Sequence, residues 1–149
     1  METETKILFR EYSDVLEEIV AETLWATVID AERGYYKIEN VPFYVKTAFE
    51  NIIFAEFDTD ENQLVYKSTV TSSGNSTIQV VILKKEIGIE TVRKIIESKG
   101  CESEKLNDSF FVIDVPSDAN YTSIQKKLDQ LTQQGIIDYA ELYLSENHR

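Results

Sequence analysis

The stretch TIQVVILKKEIGIETVRKIIESKG, residues 77–100, contains the change of pattern that decides the fold. Its first part, residues 77–83, is rich in β-branched side chains and predicts a strand. From Ile89 to Ile96 the apolar residues recur at the spacing of one helix face, and Gly100 is typical of a helix end. We therefore predict a strand that is followed by an amphipathic helix.

The rest of the second half repeats this alternation of strand and helix. A weak strand at 102–106 precedes a strong strand at 110–115, which Pro116 ends. A helix is predicted from about residue 120 to 134, and residues 137–144 alternate well enough for a last strand. The predicted order is β-α-β-β-α-β, which is that of a ferredoxin-like unit.

The first half of the chain reads mostly as strands. They are predicted at residues 6–9, 23–29, 35–38, 52–57 and 63–70. A turn at 30–34 indicates that the second and third of these form a hairpin, and the polar segment 58–62 indicates the same for the last two. Several short strands in succession favour a small antiparallel barrel or a strongly twisted sheet.

Two features of the first half lead to further expectations. Ser13 and Asp14 can cap a short helix in which residues 15, 16, 19 and 20 share one face, so a helix is slightly preferred there. Trp25 lies midway along a predicted strand, and we expect it in the core because aromatic burial contributes strongly to stability.

These predictions combine into an α+β fold with two halves. Residues 1–75 form a small antiparallel β-barrel-like half, which packs on a ferredoxin-like half formed by residues 76–149. At 149 residues and 42% apolar composition, the chain has enough material for a real core, and we expect one compact unit.

The charge of the chain indicates what kind of partner it binds. The sequence has 27 acidic and 15 basic residues, a net charge of −12, and residues 1–75 carry −9 of it. Such a field repels nucleic acid and anionic membranes and attracts a basic protein. A single cysteine, a start without a signal-peptide pattern and no apolar run of about 18 residues favour the cytoplasm.

No set of residues in the sequence supports catalysis or metal binding. The one histidine, His148, lies in a tail that we expect to fray, and Cys101 is expected to be a small buried residue. The segment 58–62 opens like a calcium loop, but Gln63 stands where glycine is needed and Thr69 where glutamate is needed. We therefore expect a solvated turn there, no cofactor, no metal and no enzymatic activity.

Three short motifs carry a resemblance to a known family. They are residues 22–26 (ETLWA), 34–44 (GYYKIENVPFY) and 73–77 (SGNST). With these motifs the chain resembles the bacterial domain-of-unknown-function 4265 family over roughly residues 6–145. One departure is the pair Glu50-Asn51, where the family pattern has Gly-Asp before an apolar strand. The resemblance implies no activity and assigns no site residues.

The function we predict is that of an acidic protein-binding module, specifically a bacterial immunity protein that neutralises a basic toxin domain by direct binding. Small acidic single-domain proteins of similar appearance include such immunity proteins, and this is an analogy at the level of the fold. The predicted contact residues are Asp58, Asp60, Glu61 and Tyr66, followed by Tyr35 and Tyr36. The alternative is a small-molecule-sensing or regulatory ferredoxin-like domain, and an enzyme ranks third.

Overall fold

A computed structural model of the chain describes residues 3–14 and 16–149, so that Met1, Glu2 and Val15 lie outside the described residues. The fold is a mixed α+β fold with two β-sheets and two α-helices. The chain divides into two compact units, residues 1–73 and residues 74–149. Each unit has its own cluster of buried apolar side chains.

The first unit is a closed barrel of five strands. They are β1 (Glu4–Ser13), β2 (Glu18–Asp30), β3 (Tyr35–Ile38), β4 (Ile52–Asp58) and β5 (Gln63–Thr71). Each strand pairs antiparallel with the next one in the chain, as the two predicted hairpins require. A short parallel pairing of Ile7 and Leu8 with Leu64 and Val65 closes the ring.

Residues 13, 14 and 16–20 belong to a hairpin, so the short helix predicted there is wrong; Val15, which was predicted on its apolar face, lies outside the described residues. Tyr12 pairs with Ile19, and Ser13 pairs with Glu18, as β1 and β2 continue to the turn. The Ser13 hydroxyl oxygen accepts a hydrogen bond from the backbone N–H of Leu16 at 3.1 Å. Ser13 therefore caps a turn instead of a helix, because cross-strand pairing supplies the remaining backbone partners.

Trp25 lies on the outside of the barrel, so its predicted place in the core is also wrong. Successive strand residues point to opposite faces, and Leu24 and Ala26 point into the core. Trp25 consequently points outward and is 44% exposed. The Lys6 Nζ atom lies 5.0 Å from the centre of its ring, within the range of a cation–π contact.

The second unit contains one four-stranded sheet and both helices. Its elements are β6 (Ser76–Ile82), α1 (Ile89–Glu97), β7 (Glu102–Asn107), β8 (Phe110–Val115), α2 (Tyr121–Gln133) and β9 (Ile137–Tyr143). The strands lie in the order β7-β8-β6-β9, and all neighbours are antiparallel. Every strand and helix predicted for this part of the chain is present.

The two helices bury the apolar stripes that the sequence predicted. Ile89, Val92 and Ile96 of α1 are buried, and they join inward-facing residues of the sheet such as Ile78 and Ile113 in one core. Helix α2 begins after Asn120, whose side-chain oxygen accepts from the N–H of Ser123 at 3.3 Å.

The C-terminal residues are ordered, so the predicted fraying of the tail is wrong. A 3-10 helix, Glu146–His148, places the His148 ring in a buried position. Its Nδ1 atom lies 2.6 Å from the Ser76 hydroxyl oxygen, and its Nε2 atom lies 2.9 Å from the Pro116 carbonyl oxygen. Since the carbonyl can only accept, Nε2 donates to it, and in the neutral ring Nδ1 accepts from the Ser76 hydroxyl. Both polar atoms of the ring therefore have partners within the second unit.

Candidate protein-binding surface

The turn between β4 and β5 carries the three carboxylates that the sequence analysis singled out. Asp58 Oδ1 accepts from the backbone N–H groups of Asp60 and Glu61, at 2.8 and 3.1 Å. Glu61 Oε1 lies 2.5 Å from the Arg10 Nη2 atom. Two of the three carboxylates thus have partners inside the unit, while Asp60 is exposed. The predicted turn is confirmed, and Asp58 is part of its structure.

The three predicted tyrosines do not gather at this turn. The Tyr66 ring stacks on Phe9, with ring centroids 4.6 Å apart and the planes inclined by 16°. Tyr35 is half-buried on β3, opposite Phe54 of β4. Tyr36 belongs to the barrel core and is only 7% exposed. Tyr36 therefore offers almost no surface to a partner, because the alternation of β3 directs it inward.

Two other carboxylates hold the segment 43–46 by its backbone. Glu22 Oε2 accepts from the N–H of Phe43 at 2.8 Å, and Glu22 Oε1 accepts from the N–H groups of Tyr44 and Val45 at 2.9 and 3.3 Å. Glu11 accepts from the N–H of the next residue, number 46. Four consecutive backbone donors are therefore satisfied by two glutamates. Bonds of this charge-assisted kind are about twice as strong as neutral ones.

The same contacts join two of the three sequence motifs. Glu22 and Trp25 belong to the motif 22–26, and their partners lie in the motif 34–44 or directly after it. The Asn40 side-chain oxygen accepts from the N–H of Trp25 at 2.7 Å, and the N–H of Glu39 donates to the Trp25 carbonyl at 2.9 Å. These motif residues hold the strand and the loop together, which is a structural role.

The pair that departs from the family pattern, Glu50-Asn51, lies in a turn directly before β4. Glu50 adopts a left-handed conformation with a φ angle of 68°, which glycine would adopt more easily. Asn51 is buried, and its side-chain oxygen accepts from the N–H of Ser73 at 2.9 Å. Glu50 thus adopts the left-handed backbone conformation that glycine favours.

Large exposed apolar side chains are concentrated in the first unit. Among the described residues of the first unit they are Tyr12, Leu16, Ile19, Trp25, Ile29, Tyr44, Phe57 and Val70, whereas in the second unit they are Val81, Leu83 and Leu106. The first unit also carries fifteen acidic and six basic residues, a net charge of −9. Exposed apolar side chains and an excess of negative charge thus occur in the same unit.

Sequence reasoning did not predict the exposure of most of these apolar side chains. It placed Trp25 in the core and gave no role to Tyr12 or Phe57. Their exposure depends on which face of a strand points outward, and both faces of these strands carry apolar residues. The acidic residues Asp14, Glu17 and Glu18, which are near Tyr12 and Ile19 in the sequence, were the one signal that could have indicated an exposed segment there.

Two arrangements in the second unit resemble nucleophilic sites, but neither is accessible. Ser76 and His148 form the contact of a nucleophile–base pair, yet the Ser76 side chain is fully buried and no substrate carbonyl can reach it. Burial, reinforced by the charge of Glu97, raises the pKa of the Cys101 thiol to about 12. Cys101 is buried, as predicted.

Within residues 3–14 and 16–149, no three His, Cys, Asp or Glu side chains are grouped so that they could hold a metal ion. Over the same residues, neither helix has the length and hydropathy that crossing a bilayer requires.

Comparison with known proteins bears on the family and on the fold. Residues 22–139, which run from β2 into β9, match the family described as Domain of unknown function (DUF4265). The chain belongs to this family. The resemblance inferred from its three motifs is confirmed, and the match extends over both units of this DUF4265 protein.

A structural relative shows that the fold occurs elsewhere. The crystal structure of a hypothetical protein from Neisseria gonorrhoeae is similar, with a TM-score of 0.80 and 21% sequence identity, and the alignment covers 96% of each chain. At this identity the likeness concerns the fold alone. No curated protein matches the chain.

Proposed function

We propose that this DUF4265 protein is a non-catalytic binding module whose first unit binds a basic protein. More specifically, we propose a bacterial immunity protein that acts in the cytoplasm and neutralises a basic toxin domain by direct binding. One observation carries the proposal: among its described residues, the unit with a net charge of −9 has eight exposed large apolar side chains. Negative charge accelerates the encounter with a basic partner, and buried apolar anchors slow its dissociation.

The hydrogen bonds of the first unit divide its acidic residues into two groups. Glu11, Glu22 and Asp58 accept backbone hydrogen bonds and stabilise the barrel. Other exposed carboxylates, such as those of Asp60 and Glu56, remain at the surface and can face a partner. Of the contacts predicted from sequence, we retain Asp60, Glu61, Tyr66 and Tyr35, with Asp58 as the residue that shapes their turn.

The absence of catalysis is part of the proposal. It is supported by the buried position of the Ser76–His148 pair and by the raised pKa of the Cys101 thiol. A nucleophile must be accessible to substrate, and a thiol must also be able to ionise. Ser76 is not accessible, and Cys101 is buried and does not ionise readily.

We also propose that the second unit is a ferredoxin-like domain. Its element order is β-α-β-β-α-β, and its spatial strand order β7-β8-β6-β9 places the first and third strands of the unit side by side in the centre. Both helices pack their buried residues into one core with the sheet. These observations support that class for the second unit.

The proposal is tested by capture of the partner from the native cell at rising salt. At low ionic strength, tagged protein should retain a protein with a high isoelectric point, and retention should weaken as salt screens the charges. The captured protein is then identified, purified and shown to bind directly. Retention of no basic protein at low salt would contradict the proposed function.

The immunity role is tested separately with the purified pair. Expression of the captured protein alone should arrest growth of a bacterial host, and co-expression with this chain should restore growth. If the basic partner is harmless to the host, the proposed binding function stands and the proposed immunity role is contradicted.

A further inference from the structure

We infer that the end of the β1–β2 hairpin, residues 11–14 and 16–20, is a docking arm for the basic partner. This hairpin end inserts its apolar side chains into an apolar cleft whose rim is basic. The inference rests on the proposed function and assigns the main contact to a part of the first unit that the sequence analysis did not select.

The strand pairing makes this part of the hairpin a two-stranded ribbon. In the parallel contact, β5 pairs with β1 only at Ile7 and Leu8. The pairing of β2 with β3 begins at Ala26. Among the described residues, β1 beyond Leu8 and the first part of β2 therefore pair as strands only with each other. The ribbon extends beyond the part of the sheet that closes on itself.

The outer face and tip of this ribbon carry the most exposed group of large apolar side chains. Phe9 points into the barrel core, so Tyr12, three residues further along β1, points to the opposite face. Tyr12 is 55% exposed, and its cross-strand partner Ile19 is 66% exposed. Leu16, in the turn between them, is 52% exposed. Contiguous exposed apolar groups of this kind mark interaction sites.

The charges around these side chains indicate which kind of partner binds at the hairpin end. Asp14, Glu17 and Glu18 are exposed, and the only base that pairs with any of them among the described residues is Lys46, whose Nζ lies 3.8 Å from Asp14 Oδ2. A second copy of this acidic chain or an anionic membrane would bring like charges together. A basic protein supplies the opposite sign, and its apolar cleft removes Tyr12 and Ile19 from water.

The arm is also held in place before binding. Glu11 and Glu22 point to its inner face, and they bind the backbone of the segment 43–46. Ten consecutive residue pairs join the two strands, from Glu4 with Thr27 to Ser13 with Glu18. A preorganised element loses little conformational entropy on binding, so that more of the contact free energy appears as affinity.

The contact is tested by photo-crosslinking in the native cell. A benzophenone amino acid is placed at position 12 in one protein and at position 57 in another. Phe57 is 58% exposed in the same unit and lies beside the β4–β5 turn with Asp60 and Glu61, so position 57 tests whether the main contact lies at that turn instead of at the hairpin end. We expect position 12 to give an adduct with a basic protein and position 57 to give little or none.

Binding of the purified crosslinked protein then tests the energetic role of the apolar side chains. Ile19→Ser should weaken binding by at least about thirtyfold if Ile19 is a central anchor. Phe57→Ser in the same unit and Leu106→Ser in the second unit should change the dissociation constant by less than about threefold. All three side chains are exposed, so the variants are expected to fold.

Each other outcome overturns the inference in a distinguishable way. An adduct of a basic protein at position 57 alone would move the contact to the β4–β5 turn and leave the proposed function intact. An adduct at position 12 with a second copy of the chain or with lipid would show that the hairpin end contacts that molecule instead of a basic protein. No adduct at either position, together with no captured basic protein, would overturn both the arm and the proposed function.

Discussion

Replacement of Glu22 removes the carboxylate that holds the segment after β3. Its two oxygens accept from the N–H groups of Phe43, Tyr44 and Val45 at 2.8, 2.9 and 3.3 Å. In Glu22→Gln, one oxygen can still accept from two of these donors, but the new amide group faces the third. In Glu22→Ala, all three donors lose their acceptor.

The size of the effect follows from the strength of these hydrogen bonds. A hydrogen bond to a charged group contributes about 1.5–3 kcal/mol, and a neutral one about 0.5–1.5 kcal/mol. Since Glu22 is only half-buried, the lower end of these ranges applies: Glu22→Gln loses one charged bond of about 1.5 kcal/mol and weakens two others by a few tenths each, which predicts a loss of about 2 kcal/mol in the free energy of unfolding. Glu22→Ala should lose about 3 kcal/mol, because water can reach the exposed Tyr44 and satisfy part of the demand.

Urea unfolding followed by Trp25 fluorescence measures this change. Trp25 is the only tryptophan and lies on the same strand as Glu22, so it reports on the unit that the substitution affects. Glu18→Gln is the matched control, since Glu18 is exposed on the same strand. Its effect should stay within about 0.5 kcal/mol. Hydrogen exchange at the Phe43 amide should become about thirtyfold faster in Glu22→Gln.

Equal stability of Glu22→Gln and Glu18→Gln would refute this reasoning. So would unchanged exchange at the Phe43 amide, because the bond to Glu22 would then not protect it.

Three further predictions concern single positions. Glu50→Gly should raise the free energy of unfolding by about 0.5–1 kcal/mol, because it relieves a left-handed φ of 68°, whereas Glu50→Ala should give no gain in the same urea titration. Gly74→Ala should cost at least about 1 kcal/mol more than Gly100→Ala. Both glycines have left-handed φ angles, but a Cβ at position 74 would lie 2.7 Å from the Asn147 amide nitrogen, and one at position 100 meets nothing within 4 Å. Equal losses would contradict the steric argument. Cys101 should react with a thiol reagent at pH 8 more than about a hundredfold slower in the native protein than in urea, because burial raises its pKa to about 12; a fast native reaction would contradict the burial of the thiol.

Local patterns were sufficient to predict most of the secondary structure. The apolar stripe of α1, from Ile89 to Ile96, and the strand run at residues 110–115 are encoded by neighbouring residues. The antiparallel hairpins of the barrel were also predictable, since turn residues stand between the paired runs. These local patterns agree with the folded structure because each helix or strand buries the face on which its own apolar residues recur.

The failures came from segments in which pairing between strands competes with a local period. Leu16 and Ile19 have helical spacing, but the pairing of Tyr12 with Ile19 extends the sheet to the turn. Trp25 shows the same limit. Its exposure depends on the inward direction of Leu24 and Ala26, which the sequence of a strand with apolar residues on both faces does not reveal.

The polar contacts that matter most were beyond sequence reasoning because their partners are distant along the chain. The Ser76–His148 hydrogen bond joins residues 72 positions apart, and it orders a tail that looks frayed by composition. Glu22 and Phe43 are 21 positions apart. The sequence does not show these contacts, so it does not distinguish a glutamate that stabilises the fold from one that is exposed to a partner. The candidate surface could therefore be predicted only as an excess of negative charge.

The most direct test of the central claim is the association rate constant of the purified partner as a function of ionic strength. It is measured for the wild type, for Glu17→Lys with Glu18→Lys in the hairpin end, and for Glu102→Lys with Glu104→Lys on β7 as a control of equal charge change. We predict a wild-type rate that falls at least about tenfold between 50 mM and 500 mM salt, a slow rate for the hairpin variant at low salt, and a rate near wild type for the control. Equal rates for the hairpin variant and the control would contradict the claim that negative charge on the first unit guides a basic partner to this surface.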